Sequence, residues 1–401
     1  MAESRRIVVF RIGQLGDILV SIPALMAIRR HFADWHIGVV SDSHPTKGYV
    51  GAADVLRGSG LVDSFIQYHA PALRGVGGVG QVTALMWRLR AGGYDTLIYL
   101  APSRRSRVQV RRDRLAFTLA GIRHVIGMEG LQPLPSRVEG GALPVVPRES
   151  DLLLDRLAHA GIPTTDLPCS DTSLSIGERE TAGVSRWLGS LPPDGGRRWI
   201  AVSPASNMPI KRWPVDRYEE VVRELISAYD LWPVVFGGPE DCELGEHLVA
   251  QWGRGYVAAG QLSVRESLAV ISRCVLYLGN DTGVMHMAAV MGVRCVALFT
   301  ARDYPGNWYP CGEGHVVLCN RMPCEGCMKM VDCEHGRKCI LSVGVEQVLG
   351  ACGRLLGAGS LGPAAMSRCA WSGRHMRRRG GPGWKGGPSD EGCHEGRRSD
   401  R

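Results

Sequence analysis

The chain has 401 residues, 45% of them apolar and 6% aromatic, enough for two domains of ordinary size with a full core each. Its formal charge of +8 is uneven: residues 351–401 hold ten Lys/Arg against four Asp/Glu, so six of the eight charges lie there and a nucleic-acid role would rest on that tail alone. No run of 18 apolar residues is present to span a membrane, Arg11 interrupts the first apolar stretch far short of an export signal, and the thirteen cysteines are expected to be mostly reduced in a cytoplasmic protein.

Residues 6–12 (RIVVFRI) read as a first buried strand, 13–17 (GQLGD) as a Gly-rich turn, and 18–32 as one amphipathic helix. The opening is similar to a dinucleotide-binding βαβ unit, with Asp42 near the place of a ribose-binding acid, but Arg11 stands where the first glycine of GxGxxG belongs. The turn is therefore given another use. Gly13 and Gly16 let a substrate approach the backbone, and Asp17 is held at the mouth of a crevice by the start of a helix, as its N-cap, as a reactive group, or as both. A strand at 62–68, a Gly-rich loop at 74–80, a helix through Leu89 and a strand and loop over 94–103 follow. Next come Arg104, Arg105, Arg107, Arg111, Arg112 and Arg114, whose forks suit phosphate or carboxylate unless they only form a solvated helix face. A short strand at 124–128, a helix at 149–160 and an interdomain linker from 163–168 close the first half.

The second half repeats the architecture without a close sequence repeat. Residues 178–191 are helical, 198–204 form a strand, and the loop 205–214 (ASNMPIKRWP) leads into another helix. Residues 231–252 give a strand, a Gly-Gly turn and a helix, and 264–274 a further helix. The stretch 275–299 is the centre of the chain: an apolar strand, a break at Gly279-Asn280-Asp281 where Asp281 can cap a helix, a stop at Gly292, and a second apolar strand. In such a unit the helix N-terminus sits at the carboxyl edge of a parallel sheet, where phosphate binds. Thr282 and His286 are four apart and face one crevice. A well-capped core helix is the alternative. Cys324, Cys327, Cys333 and Cys339 have the ligand count of a structural zinc site, with free thiols or a disulfide as alternatives. A helix at 343–356 follows. From Gly357 the composition turns to Gly, Arg and Ser, which predicts a disordered tail, either solvated or attached to anionic lipid.

RIGQLGDILVSIPALMAIR, SPASNMPIKRWP, VVFGGPED and LGNDTGVMHMAAVMGVRCVALF occur in that order, and on these motifs residues 5–350 resemble glycosyltransferase family 9, the ADP-heptose:lipopolysaccharide heptosyltransferases. The resemblance implies an α/β protein of GT-B fold, two Rossmann-like domains facing across a cleft. Residues 1–170 would bind the acceptor, 171–356 the sugar nucleotide, and 357–401 form the tail. It implies inverting transfer of heptose from ADP-heptose to the inner core of lipopolysaccharide. The alternatives are a relative using another sugar nucleotide or acceptor, and a nicotinamide-binding or non-enzymatic Rossmann protein. The family's lysine matches Lys211, and its D-[ST]-G-x-x-H matches Asp281, Thr282, Gly283 and His286, while Val284 replaces a common proline. Ser206 and Glu240 (or Asp241) complete the expected donor site; Gly16, Arg104, Arg105 and Arg107 are expected on the acceptor side. Asp17 is the expected base. With no DxD motif beyond Asp241-Cys242-Glu243, the leaving diphosphate falls to Lys211 and to the N–H groups at Asp281, Thr282 and Gly283, so transfer is expected to need no metal or other cofactor. The expected partners are ADP-heptose, an anionic glycolipid and the cytoplasmic face of the inner membrane, with no nucleic acid.

Overall fold

A run such as RIVVF, apolar on both faces, is stable only within a parallel sheet covered by helices on each side. The computed structural model describes residues 5–44, 48–69, 77–129, 131, 135, 143–165 and 174–357. Its first half runs β1 (Arg6–Phe10), α1 (Leu15–Leu19), α2 (Ile22–His31), β2 (His36–Ser43), α3 (Ala52–Leu56), β3 (Ser64–His69), α4 (Gly77–Ala91), β4 (Thr96–Tyr99), α5 (Arg107–Leu119), β5 (His124–Ile126) and α6 (Glu149–His159). The strands form a parallel sheet in the order β3-β2-β1-β4-β5. Val9 pairs with Val39 on one side and Ile98 on the other, and all three are fully buried.

The second half runs α7 (Glu178–Gly189), β6 (Trp199–Ser203), α8 (Val215–Tyr229), β7 (Trp232–Val235), α9 (Cys242–Trp252), β8 (Tyr256–Val257), α10 (Val264–Ile271), β9 (Cys274–Asn280), α11 (Gly283–Val290), β10 (Cys295–Leu298), β11 (Val316–Leu318), α12 (Lys338–Leu341) and α13 (Val345–Gly357). Its parallel sheet has the order β11-β10-β9-β6-β7-β8. One apolar core runs through both halves, from Ile7, Ile18 and Leu25 to Leu268, Val270 and Met285. The halves meet where α1 packs on α11 and α3 on α10. There the buried Arg265 donates to the Val55 carbonyl at 3.1 Å while pairing with Glu180. These are the two expected Rossmann-like layers.

Several elements differ from expectation. Residues 18–32 are not one helix: α1 ends at Leu19 and α2 restarts with Ser21 as N-cap and Pro23 in its first turn, where proline is tolerated. The short strands β8 and β11 and the helix α12 were not anticipated. The expected helix at 343–356 is α13, which packs on α8, β9 and β10, with Ala351, Cys352 and Leu355 in the second sheet's core. The expected tail from residue 358, and parts of the 74–80 loop and the 163–168 linker, lie outside the described residues.

Candidate active site

The first half builds its part of the site on a buried arginine. Arg11 is 1% exposed and, in place of the missing glycine, ties three segments together. Its Nε donates to the Asp17 carbonyl at 2.7 Å and its Nη1 to the Leu100 carbonyl at 2.8 Å. Nη1 also lies 3.7 Å from Glu149 of α6, whose carboxylate accepts from the Ser103 amide at 3.0 Å. Gly13 has φ of +118°, and a Cβ there would overlap the Asp17 side chain, so only glycine fits the turn. Asp17 is not the N-cap. It lies in the first turn of α1 and accepts from the Gln14 amide at 3.1 Å, the return half of a capping box. Burial raises the Asp17 pKa above its ordinary value, against a lowering influence from Arg11.

The second half supplies the complementary chemistry. Asp281 does not cap α11 either: Thr282 is the N-cap, the Asp281 amide donates to Leu298 at 3.1 Å, and its carboxylate holds Lys211 Nζ at 2.5 Å. The Asp281 N–H is thus spent within the sheet, which leaves Thr282 and Gly283 as the amides at the helix start. Asn280, passed over as a turn residue, organises the loop that carries Lys211. Fully buried, its Oδ1 accepts from the Trp213 amide at 3.1 Å and the Tyr218 hydroxyl at 3.0 Å, and its Nδ2 donates to the Pro204 carbonyl at 2.7 Å. A polar residue closing the apolar run VLYLG was the available signal. Ser206 shapes the same loop, its hydroxyl accepting from the Met208 amide at 3.2 Å. After β7, Asp241 caps the Gly238 amide at 2.8 Å, which leaves Glu240 as the exposed carboxylate of the pair.

The two halves touch at their glycines. A Cβ on Gly283 would sit 2.6 Å from Leu15 Cδ2, and one on Gly16 would sit 3.3 Å from His286 Cδ2, so glycine at both places lets α1 and α11 approach closely. His286 is buried, its pKa pushed down to about 3 by burial and then by Lys211, so its ring is neutral at physiological pH. Its Nδ1 has no partner among the described residues. Gly16, next to Asp17 on α1, thus lies against His286 of α11, whose N-terminal Thr282 and Gly283 follow the Lys211–Asp281 pair.

The expected acceptor arginines separate. Arg105 is committed inward, paired with Asp113, which also accepts from Tyr99 at 2.7 Å. Arg107 opens α5 and is exposed. Arg104 crosses to the second half, 3.6 Å from Asp303. Cys324, Cys327, Cys333 and Cys339 are half-buried free thiols. Bonds from the Gly326 and Met328 amides to the loop after β10 hold the middle of their segment, while Cys339 lies in α12. Among the described residues no three His, Cys, Asp or Glu side chains gather closely enough to hold a metal as they stand. No helix of the described residues is long and apolar enough to cross a membrane.

A sequence model described as "Glycosyltransferase family 9 (heptosyltransferase)" matches residues 82–337. Lipopolysaccharide heptosyltransferase 2 of Salmonella typhimurium is 33% identical over 99 residues, 23% of this chain. That alignment spans only 27% of the relative's own length. A family 9 glycosyltransferase from Veillonella parvula superposes with a TM-score of 0.67 at 23% identity, covering 89% of this chain and 99% of that one. The Escherichia coli ADP-heptose LPS heptosyltransferase II gives 0.60 at 22%, covering 89% and 100%. Both share the GT-B fold with this chain.

Proposed function

The chain belongs to glycosyltransferase family 9, and from that premise we propose that it transfers a heptose from ADP-heptose to the inner core of lipopolysaccharide, with inversion. The packing of α1 on α11 carries the proposal, because it sets Asp17 beside the helix start that would hold a diphosphate. The acceptor hydroxyl oxygen attacks the anomeric carbon from the face opposite the diphosphate. The bond from that carbon to the diphosphate oxygen breaks, the hydroxyl proton passes to Asp17, and ADP leaves with the electron pair. Burial raises the Asp17 pKa, which strengthens it as a base. Lys211 and the Thr282 and Gly283 amides meet the growing charge on ADP, a part that a divalent cation plays elsewhere. The exposed Glu240 bonds the ribose at the far end of the donor.

Residues 1–170 serve as the acceptor half and 171–356 as the donor half, working at the cytoplasmic face of the inner membrane on an anionic glycolipid. The names of the Salmonella and E. coli relatives support the donor and the acceptor class. Presenting the purified protein with ADP-heptose, ADP-glucose, UDP-glucose and GDP-mannose, with a deacylated core oligosaccharide as acceptor, tests the reading. Turnover with ADP-heptose alone is expected. Preference for another sugar nucleotide would move the protein to a different branch of the family.

A further inference from the structure

The helix after β4 has two apolar faces, and packing within the chain uses one of them. In α5, Phe117 and Asp113 are buried, Phe117 in the core that also holds Phe10, Leu89, Leu97 and Tyr99. Val108, Leu115 and Leu119 follow the spacing i, i+7, i+11, so at about 3.6 residues per turn they line up on the side opposite Phe117. They are 75%, 61% and 52% exposed. α4 runs beside α5: a Cβ on Gly121, just past the end of α5, would meet Arg90 Cγ at 3.4 Å. Trp87, about one turn earlier on α4, is 70% exposed. An isolated exposed apolar side chain calls for no explanation, but a stripe aligned along one helix does.

The same surface is basic. Arg111 and Arg112 flank the stripe, Arg107 and Arg114 stand further round on one side, and Arg88 and Arg90 add two more on α4, all of them exposed. The acid of α5, Asp113, is buried beneath Arg105, Arg112 and Tyr99, and α4 has no acid.

We propose that α4 and α5 form the face by which this protein lies on an anionic phospholipid surface, with Val108, Leu115 and Leu119 at the boundary of the acyl chains and the arginines among the headgroups. Charge and apolarity together select that occupant. A nucleic acid would meet the arginines and leave the stripe in water. A second copy of the same face would set arginine against arginine. A lipid surface covers the stripe and neutralises the charges at once. The inference rests on the transferase reading for the purpose of the contact, and adds the part of the chain that makes it. α5 starts from the end of β4, at the same carboxyl edge of the first sheet that carries Asp17 after β1. An acceptor held in that lipid surface is thereby presented to the edge with the proposed base.

The test sediments the full chain with vesicles of phosphatidylcholine alone, or of phosphatidylcholine mixed equally with phosphatidylglycerol, at low and at physiological salt. Binding to the mixed vesicles and little to the neutral ones is expected. Leu115→Gln/Leu119→Gln should weaken binding about tenfold or more at both salt concentrations, because apolar burial is not screened. Arg111→Gln/Arg114→Gln should weaken it about 25-fold at low salt, at about fivefold per charge, and less at physiological salt, where screening acts within about 8 Å. The proposal requires both losses. A leucine variant that binds as the wild type does leaves the stripe in water, and an arginine variant that does so leaves the contact to the basic tail or to another surface; either overturns it. So does a wild type that ignores the mixed vesicles. Gel filtration of the same proteins covers the remaining occupant: a wild-type dimer that Leu115→Gln/Leu119→Gln dissolves would make the stripe an interface between copies, against the proposal. Both variants change exposed side chains and should keep wild-type turnover on a short soluble acceptor. Vesicle binding needs no sugar nucleotide, so a protein that binds vesicles but transfers nothing refutes the transferase reading and not this surface.

Discussion

Lys211 and Asp281 are 70 residues apart in sequence and 2.5 Å apart in space, with side chains 12% and 7% exposed. Lys211→Met keeps the apolar stem and removes the charge, which strands the Asp281 carboxylate in a site with little water. Breaking a buried pair from one side costs about 3–5 kcal/mol, and the lower end applies here because the pair borders a cleft. For a unit of this size that is a fall in Tm of roughly 6 °C, at about 2 °C per kcal/mol. The double variant Lys211→Met/Asp281→Asn leaves no unpaired charge and should recover most of the loss. It should not recover ADP binding, because the cation that faces the diphosphate is still missing. Differential scanning calorimetry and titration with ADP read the two effects separately. A Lys211→Met protein melting within about 1 °C of wild type would refute the buried-charge argument. A double variant that binds ADP as tightly as wild type would remove Lys211 from the donor site.

Asp17→Asn should lower kcat by about 10²- to 10⁴-fold while ADP binding persists; a tenth of the wild-type rate surviving in an initial-rate assay would sink the assignment. Only the carboxylate accepts a proton, and burial raises its pKa, so activity should fall as pH drops through that raised value, whereas a pH–rate profile flat down to about pH 4 would contradict it. Transfer should survive EDTA, because Lys211 and the α11 amides supply the positive charge, and a strict Mg²⁺ or Mn²⁺ requirement in the same assay would count against them. Deleting residues 358–401 should leave turnover on a short soluble acceptor unchanged, since every group placed around the cleft lies before that point.

What the sequence made legible was whatever local pattern encodes. Strands apolar on both faces announced parallel sheets, and the break at Gly279-Asn280-Asp281 announced a helix start at a sheet edge. What stayed hidden depends on partners far along the chain. Arg11 looked like a defect in a glycine motif, and only Leu100 and Glu149 explain it. Asp281 looked like a cap because its sequence neighbours allow one; its actual partner is Lys211. Residues 18–32 keep helical periodicity throughout, which masked the local signal of a restart, Ser21 as N-cap with Pro23 in the first turn. The basic run at 104–114 read as one patch, yet tertiary contacts send Arg105 inward to Asp113 and Arg104 across to Asp303.

The proposed base and the loop after β10 stand on one frame. Asp17 takes its place from Arg11, which bonds the Asp17 carbonyl and sits beside Glu149. Glu149 opens α6, and its amide donates at 2.8 Å to the carbonyl of Asn307 in the loop after β10. Two residues before Asn307, the Pro305 carbonyl accepts from the Val146 amide at 2.8 Å. A Cβ on Gly306 would overlap the Val146 carbonyl, so the segments are held close enough that only glycine fits between them. The loop after β10 and the carboxylate proposed as base are therefore joined through Arg11, Glu149 and Asn307. Proton abstraction depends on the acceptor hydroxyl lying within hydrogen-bond reach of the base, and a misplacement of about 1 Å can cost a hundredfold in rate. A joint of buried charge and backbone hydrogen bonds across the two halves keeps that distance fixed better than two independent loops would.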